Sequence, residues 1–207
     1  MKTYKITSQK DLDKFKDEYG YKIDGNAEFS YTAIFEGRLY VEGYLSIEAG
    51  GSIKAGGSIE AGGSIEAGDW IEAGGSIEAG GSIKAGDWIE ASGSIEAGDW
   101  IEAGDWIQAG YSIQAGDSIK ALRGGITAGL NISCNGLLRF KLRLFAGTSP
   151  YSWNEDCSKE VKCGKLEGNV AHGDVIETGL PDELKTTNPP EITFEGATYV
   201  LKEQSNE

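Results

Sequence analysis

Gly57-Ser58-Ile59-Glu60-Ala61-Gly62-Gly63-Ser64-Ile65-Glu66-Ala67-Gly68-Asp69-Trp70-Ile71-Glu72-Ala73-Gly74 decides the fold. It is one hexad written three times: a large apolar residue, a small one two positions later, and a Gly-Gly or Gly-Asp corner. Side chains alternate along a strand, so Ile and Ala share the inward face while Ser or Trp and Glu or Lys point out. A strand this short buries nothing by itself and is stable only when copies stack into coils. Glycine at each corner predicts turns made through its φ freedom.

Thirteen such units run without a break from Ile47 to Ala121. Backwards, an apolar column continues through Ile23, Phe29, Phe35, Val41 and Ile47, each six apart; forwards, after one inserted residue at Leu122-Arg123-Gly124, it continues through Ile126, Ile132, Leu138 and Leu144. Trp70, Trp88 and Trp106 are 18 apart, each preceded by an aspartate, Asp69, Asp87 and Asp105. Three six-residue sides per coil put these pairs on one face, whereas a two-sided coil would scatter them. The prediction is an all-β chain, a triangular parallel β-helix (solenoid) of about seven 18-residue coils, roughly 33 Å long at ~4.8 Å per coil.

Sorted by that coil, the outward positions make three surfaces. The first carries Lys54, Glu72, Glu90 and Gln108 with the Asp-Trp pairs; the second carries Glu60, Glu78, Glu96 and Gln114 beside Ser58, Ser76, Ser94 and Ser112; the third alternates Glu48, Glu66, Lys84, Glu102 and Lys120, with Trp100. Like charges in adjacent strands repel, so Glu60, Glu78 and Glu96 form a column that stability alone would not choose. Residues 47–121 hold eight Glu and five Asp against three Lys. An acidic column of this kind either keeps a repetitive sheet soluble or imitates the phosphates of a duplex. The tryptophans are expected to form an exposed aromatic ladder that anchors a partner, unless the chain after Pro150 covers it.

Residues 8–19 read as one amphipathic helix, capped by Ser8 and stopped at Gly20, with Leu12, Phe15 and Tyr19 over the first coil. Leu138 to Leu144 reads as the last regular coil, apolar in and basic out, its charges guarding a sheet edge. Period six returns at Gly168–Gly179, and Ile192–Leu201 reads as a hairpin. The domains predicted are a capping helix over 1–22, the repeat helix over 23–147 and a C-terminal cap over 148–207.

Two families resemble this pattern. The Gly-Asp/Ser-Ile-x-Ala rhythm is similar to bactofilins, right-handed polymer-forming β-helices. It is more similar still to the Gly-Ser-Ile-Lys/Glu-Ala-Gly repeat proteins of gut bacteria and their phages, a likeness that covers about residues 20–180 and implies no activity. The left-handed hexapeptide acyltransferases place the small residue four positions after the large one, and that motif is not matched.

Composition narrows function further. The 207 residues carry a net charge of -14, with 31 Gly, 4 Pro, 3 Cys and a single His172. No run of ~18 apolar residues is present, which predicts a soluble, cytoplasmic chain without membrane contact. Nucleic acid is disfavoured as a direct ligand by the charge. No nucleophile-base order or phosphate-cradling loop is found, so neither an enzyme nor a cofactor is expected. Cys134, Cys157, Cys163 and His172 make a loose candidate for zinc, and Asp69, Asp87 and Asp105 for a divalent cation; the expectation is no metal.

These readings converge on a non-catalytic interaction protein, a monomer or small homo-oligomer. Its expected partner is a host protein with a basic nucleic-acid-binding surface, such as a CRISPR effector. That surface would be inhibited by DNA mimicry, as acidic pentapeptide-repeat gyrase inhibitors of similar architecture do. The expected partner-binding residues are Trp70, Trp88, Trp106, Asp69, Asp87, Asp105, Glu60, Glu78 and Glu96. The alternative is a bactofilin-like structural polymer.

Overall fold

A computed structural model describes residues 1–148 and 159–181, together with the backbone of Glu191–Phe194 and Ala197–Val200. Each regular hexad forms a three-residue strand such as Ile71–Ala73, with Ile and Ala buried and the residue between them facing out. Successive strands belong to different sheets and every third strand pairs in parallel, giving sheets of nine, eight and nine strands in a three-sided solenoid of about eight turns. Ile71 faces Ile89, Glu72 faces Glu90 and Ala73 faces Ala91, the 18-residue register read from the tryptophans. The isoleucine columns, from Ile53 through Ile119, are wholly buried. Each such side chain contributes about 1.5–3 kcal/mol on burial, so the axial column is the main support of the rod.

The corner glycines serve a different purpose from the one expected. In the regular coils they do not adopt positive φ. Instead the backbone of one coil lies against the next: a Cβ on Gly98 would collide with the carbonyl oxygen of Gly80. Glycine is selected there by the close approach of one coil's backbone to the next. Serine has its own structural task, because the Oγ of Ser58 accepts from the backbone N–H of Ser76 at 3.1 Å, and the Oγ of Ser76 from that of Ser94 at 3.1 Å. A hydroxyl ladder thus satisfies corner amides up the second face.

Between Ile47 and Ile53 the phase slips by two residues. Ala33 pairs with Ile53 and Phe35 with Ala55; Leu39 pairs with Ile59 and Val41 with Ala61. The early column of Ile23, Phe29, Phe35 and Val41 therefore occupies the second inward position, where alanine sits later. Large and small exchange places in these coils: Ala27 precedes Phe29 and Ala33 precedes Phe35, so the interior is still filled. The extra residues are taken up in a turn in which Gly51 N–H donates to the Glu48 carbonyl, with Gly50 at φ 76°. Glu48 accordingly leaves the third-face column, and Ser46 stands opposite Glu66. The second irregularity falls where expected: Ile107 pairs with Ile126 and Ile119 with Leu138, one residue beyond 18.

Both ends agree with expectation in part. At the start, Thr3–Ile6 is a strand paired with Asn26–Phe29, and the helix is short: Gln9–Leu12, then a 3-10 turn over Asp13–Phe15. Ser8 does cap it, its Oγ accepting from the Asp11 amide at 3.3 Å. Leu12 is buried, but the chain is extended at Lys16. The Asp17 carboxylate accepts from the Tyr19 amide, which turns the backbone and leaves Tyr19 64% exposed. At the far end Leu137–Phe140 is not an edge, because Lys165–Glu167 pairs with it. Arg139 makes an ion pair with Glu167 at 2.6 Å rather than guarding a free strand. Val170–His172 and Asp174–Glu177 continue the other two sheets, so the solenoid is longer than seven coils. Glu191–Phe194 and Ala197–Val200 form the expected antiparallel hairpin. Cys157 and Pro189-Pro190 lie outside the described residues.

Candidate binding surfaces

Stacking of equivalent corners places Ser52, Trp70, Trp88, Trp106, Gly125 and Arg143 in one line beside the first-face strands. This follows from the amides of Ala33, Ile53, Ile71, Ile89, Ile107 and Ile126, each of which donates to the carbonyl of the next residue in that line. Ring centroids of Trp70 and Trp88 are 5.5 Å apart at 8° between planes, and those of Trp88 and Trp106 are 5.0 Å apart at 7°. Such stacks contribute about 0.5–1.5 kcal/mol per pair beyond area burial. Because each indole covers its neighbour, Trp70 and Trp88 are only half-exposed, less than a free ladder would be; Trp106, at the end of the stack, is 40% exposed.

The aspartates of the same corners are not all free. Arg123, in the 19-residue coil, reaches back along the rod: its Nε donates to Asp105 Oδ1 at 2.8 Å, and its Nη2 lies 3.4 Å from Asp87 Oδ1. One guanidinium thus bridges two rungs and neutralises part of the acidic stripe beside the tryptophans. Nothing in the hexad pattern marks Arg123 for this; its only signal was its place at the inserted residue. On the first face Lys54 also pairs with Glu72 at 2.6 Å.

The second face keeps its charge. Tyr40, Glu60, Glu78, Glu96 and Gln114 stand in register on adjacent strands. Glu78 and Glu96 are exposed and Glu60 is half-buried. Among the described residues none of the three glutamates forms an ion pair, in contrast to Glu66, which meets Lys84 at 3.6 Å on the third face. Three carboxylates about 4.8 Å apart form a straight acidic row. Shallow grooves of about 240 Å³ run beside it, one between Tyr40, Glu60 and Glu78, the other between Glu78, Glu96 and Gln114.

The cysteines belong to the core. Cys134 pairs with Ala115 in the inward column and is 5% exposed, and Cys163 is fully buried. Burial pushes the Cys134 thiol up to about 12 and that of Cys163 to about 11. Among the described residues no group of three or more His, Cys, Asp or Glu is arranged to hold a metal ion. No described helix is long and apolar enough to cross a membrane.

Fold and repeat together define a parallel β-solenoid built from hexads, compatible with the hexapeptide-repeat β-helices. Comparison of the chain with protein families, with curated proteins and with solved structures returns no match.

Proposed function

We propose that this chain is a non-catalytic binding protein whose acidic second face occupies a basic, nucleic-acid-binding surface on a host protein, with the tryptophan ladder as a desolvated anchor. A phage or mobile element is the setting in which an inhibitor of this kind is expected. The observation that carries the reading is the row Glu60, Glu78 and Glu96, unpaired among the described residues and held in register by a rigid sheet. Adjacent like charges cost stability, so a surface that retains them has a use for the field. The field also speeds encounter with a cationic partner, while buried indoles supply affinity. Arg123 narrows the assignment: Asp87 and Asp105 are already engaged, and the electrostatic contribution rests mainly on the glutamates.

The test is affinity capture from a gut-bacterial lysate with wild type and with Glu60→Gln/Glu78→Gln/Glu96→Gln, followed by competition with duplex DNA on the captured protein. The expected result is a nucleic-acid-handling protein that DNA displaces, whose retention falls with added salt and is lost in the Gln variant. Equal retention by the variant would sink the mimicry reading. A second reading, self-association into a bactofilin-like polymer, is favoured by the terminal strand Asp174–Glu177, where Val175 and Ile176 are 43% and 42% exposed. Light scattering on the purified chain distinguishes the two, since only the polymer gives a mass that grows with concentration.

A further inference from the structure

The tryptophan line has a missing rung. After Trp106 the next position is Gly125, and the one after that is Arg143. Gly125 has no side chain, and a Cβ there would collide with the Arg143 carbonyl oxygen, so the backbone itself keeps the place empty of any side chain. The result is a groove of about 480 Å³ lined by Trp106, Gln108, Thr127, Leu142, Arg143 and Phe145 among others. The indoles below it repeat at 5.5 and 5.0 Å, so one aromatic ring at the level of Gly125 would continue the stack on the outer face of Trp106.

Charge around the gap changes in the same place. In the neighbouring first-face column Glu72 and Glu90 give way to Gln108, then Thr127 and Phe145. In this column carboxylates therefore stop one coil before the groove, and Asp105, beside Trp106, is already engaged by Arg123 at 2.8 Å. Arg143 closes the far side and makes no ion pair among the described residues. Leu142, 64% exposed where the alternating pattern had it pointing inward, supplies an apolar wall. On a chain of net charge -14, a cation with no carboxylate partner among the described residues, beside an exposed aromatic ring, is a specific arrangement.

We propose that this groove binds a small planar aromatic acid, its ring inserted as the absent rung on Trp106 and its anionic group held by Arg143, with Gln108 and Thr127 available to polar edge atoms. The stack provides shape and the guanidinium provides the sign, since Arg both pairs with anions and lies over aromatic faces. The site is separate from the glutamate row on the second face and does not depend on the partner reading.

The experiment titrates the full chain with 2-naphthoate, followed by isothermal calorimetry and ligand-observed saturation-transfer NMR. Saturable binding of one naphthoate per chain is expected, weakened about tenfold or more by Trp106→Ser and by Arg143→Gln. Replacing the ligand by neutral 2-naphthamide is expected to weaken binding to a similar degree, and Trp100→Ser, on the third face, to leave it unchanged. Arg143 is exposed, so its variant keeps the fold even if loss of Trp106 loosens the stack. The absence of saturable binding, or equal affinity in the Arg143→Gln variant, would overturn the proposal.

Discussion

Each residue of the hexad answers to a separate physical demand, and the departures from the hexad stand out against them. Glu78 lies between Glu60 and Glu96 on flanking strands, where directly opposed like charges destabilise by a few tenths of a kcal/mol each. Glu78→Gln is therefore expected to raise the denaturation midpoint by roughly 0.5 kcal/mol equivalent while weakening any cationic partner; a stability loss in urea titration would contradict the repulsion. Cys134 and Cys163 illustrate the opposite case, residues that look reactive in a sequence and are packing in the fold. Their thiols, raised by burial, are expected to resist iodoacetamide in the native protein and to react fully in denaturant, which mass spectrometry reads directly. Cys134→Ala should be nearly neutral, as Ala115 already fills the neighbouring position.

At the scale of elements, the strands, the Ser8 cap and the C-terminal hairpin are legible in the sequence, whereas the length of the first helix and the slip before Ile53 are not. Hexad periodicity fixes which residues face inward, and the spacing of Trp70, Trp88 and Trp106 fixes three strands per coil. The slip before Ile53 was hidden because Ile47 lies six residues earlier by coincidence, although its inward neighbour is Leu45 and not alanine. Leu12, Phe15 and Tyr19 satisfy helical spacing and so extend the expected helix, while the bond from the Tyr19 amide to the Asp17 carboxylate that turns the chain leaves no periodic trace. Arg123 escaped for a related reason: a side chain reaching across whole coils obeys no local pattern. The ends also carry the carboxylates most favoured in the folded state. Lys14 with Thr7 and Ser8 holds Asp11 far below the usual range, the Tyr19 amide with Arg38 lowers Asp17, and Lys165 with Arg139 lowers Glu167. Depressed carboxyls stabilise fully above their unfolded value, about 4, and that contribution is lost as pH falls from there toward the lower folded value. Hydrogen-exchange protection is thus expected to fall first near Ser8–Arg38 and in the strands Leu137–Phe140 and Lys165–Glu167 in acid, before the central strands Ile71–Ala109.

For the whole molecule, charge and geometry act along one axis. About eight turns at ~4.8 Å give a rod near 38 Å long that bears most of a net charge of -14. Self-repulsion in such a rod is screened within about 8 Å at physiological ionic strength, so stability is expected to rise with sodium chloride between about 20 and 300 mM. A midpoint that falls with salt would place the ion pairs, such as Lys54–Glu72, above the repulsion in importance. Because, Arg123 apart, each coil meets mainly its neighbours, stability is close to a sum of similar nearest-neighbour steps, and local damage is not shared evenly along the rod.

The three-sided register also bears on how a gene of this kind can change length. Loss or gain of whole hexads keeps the period of six but not always the three-sided register. Losing residues 77–94 would remove one full turn and return every later side chain to its own face. Losing only residues 77–82 would rotate everything downstream by a third of a turn. Trp88 and Trp106 would then leave the face of Trp70, Lys84 would take the place of the lost Glu78 beside Glu60, and Glu96 would leave that row. Only slips of three hexads keep every later side chain on its own face, so the heritable unit of this protein is the turn and not the repeat.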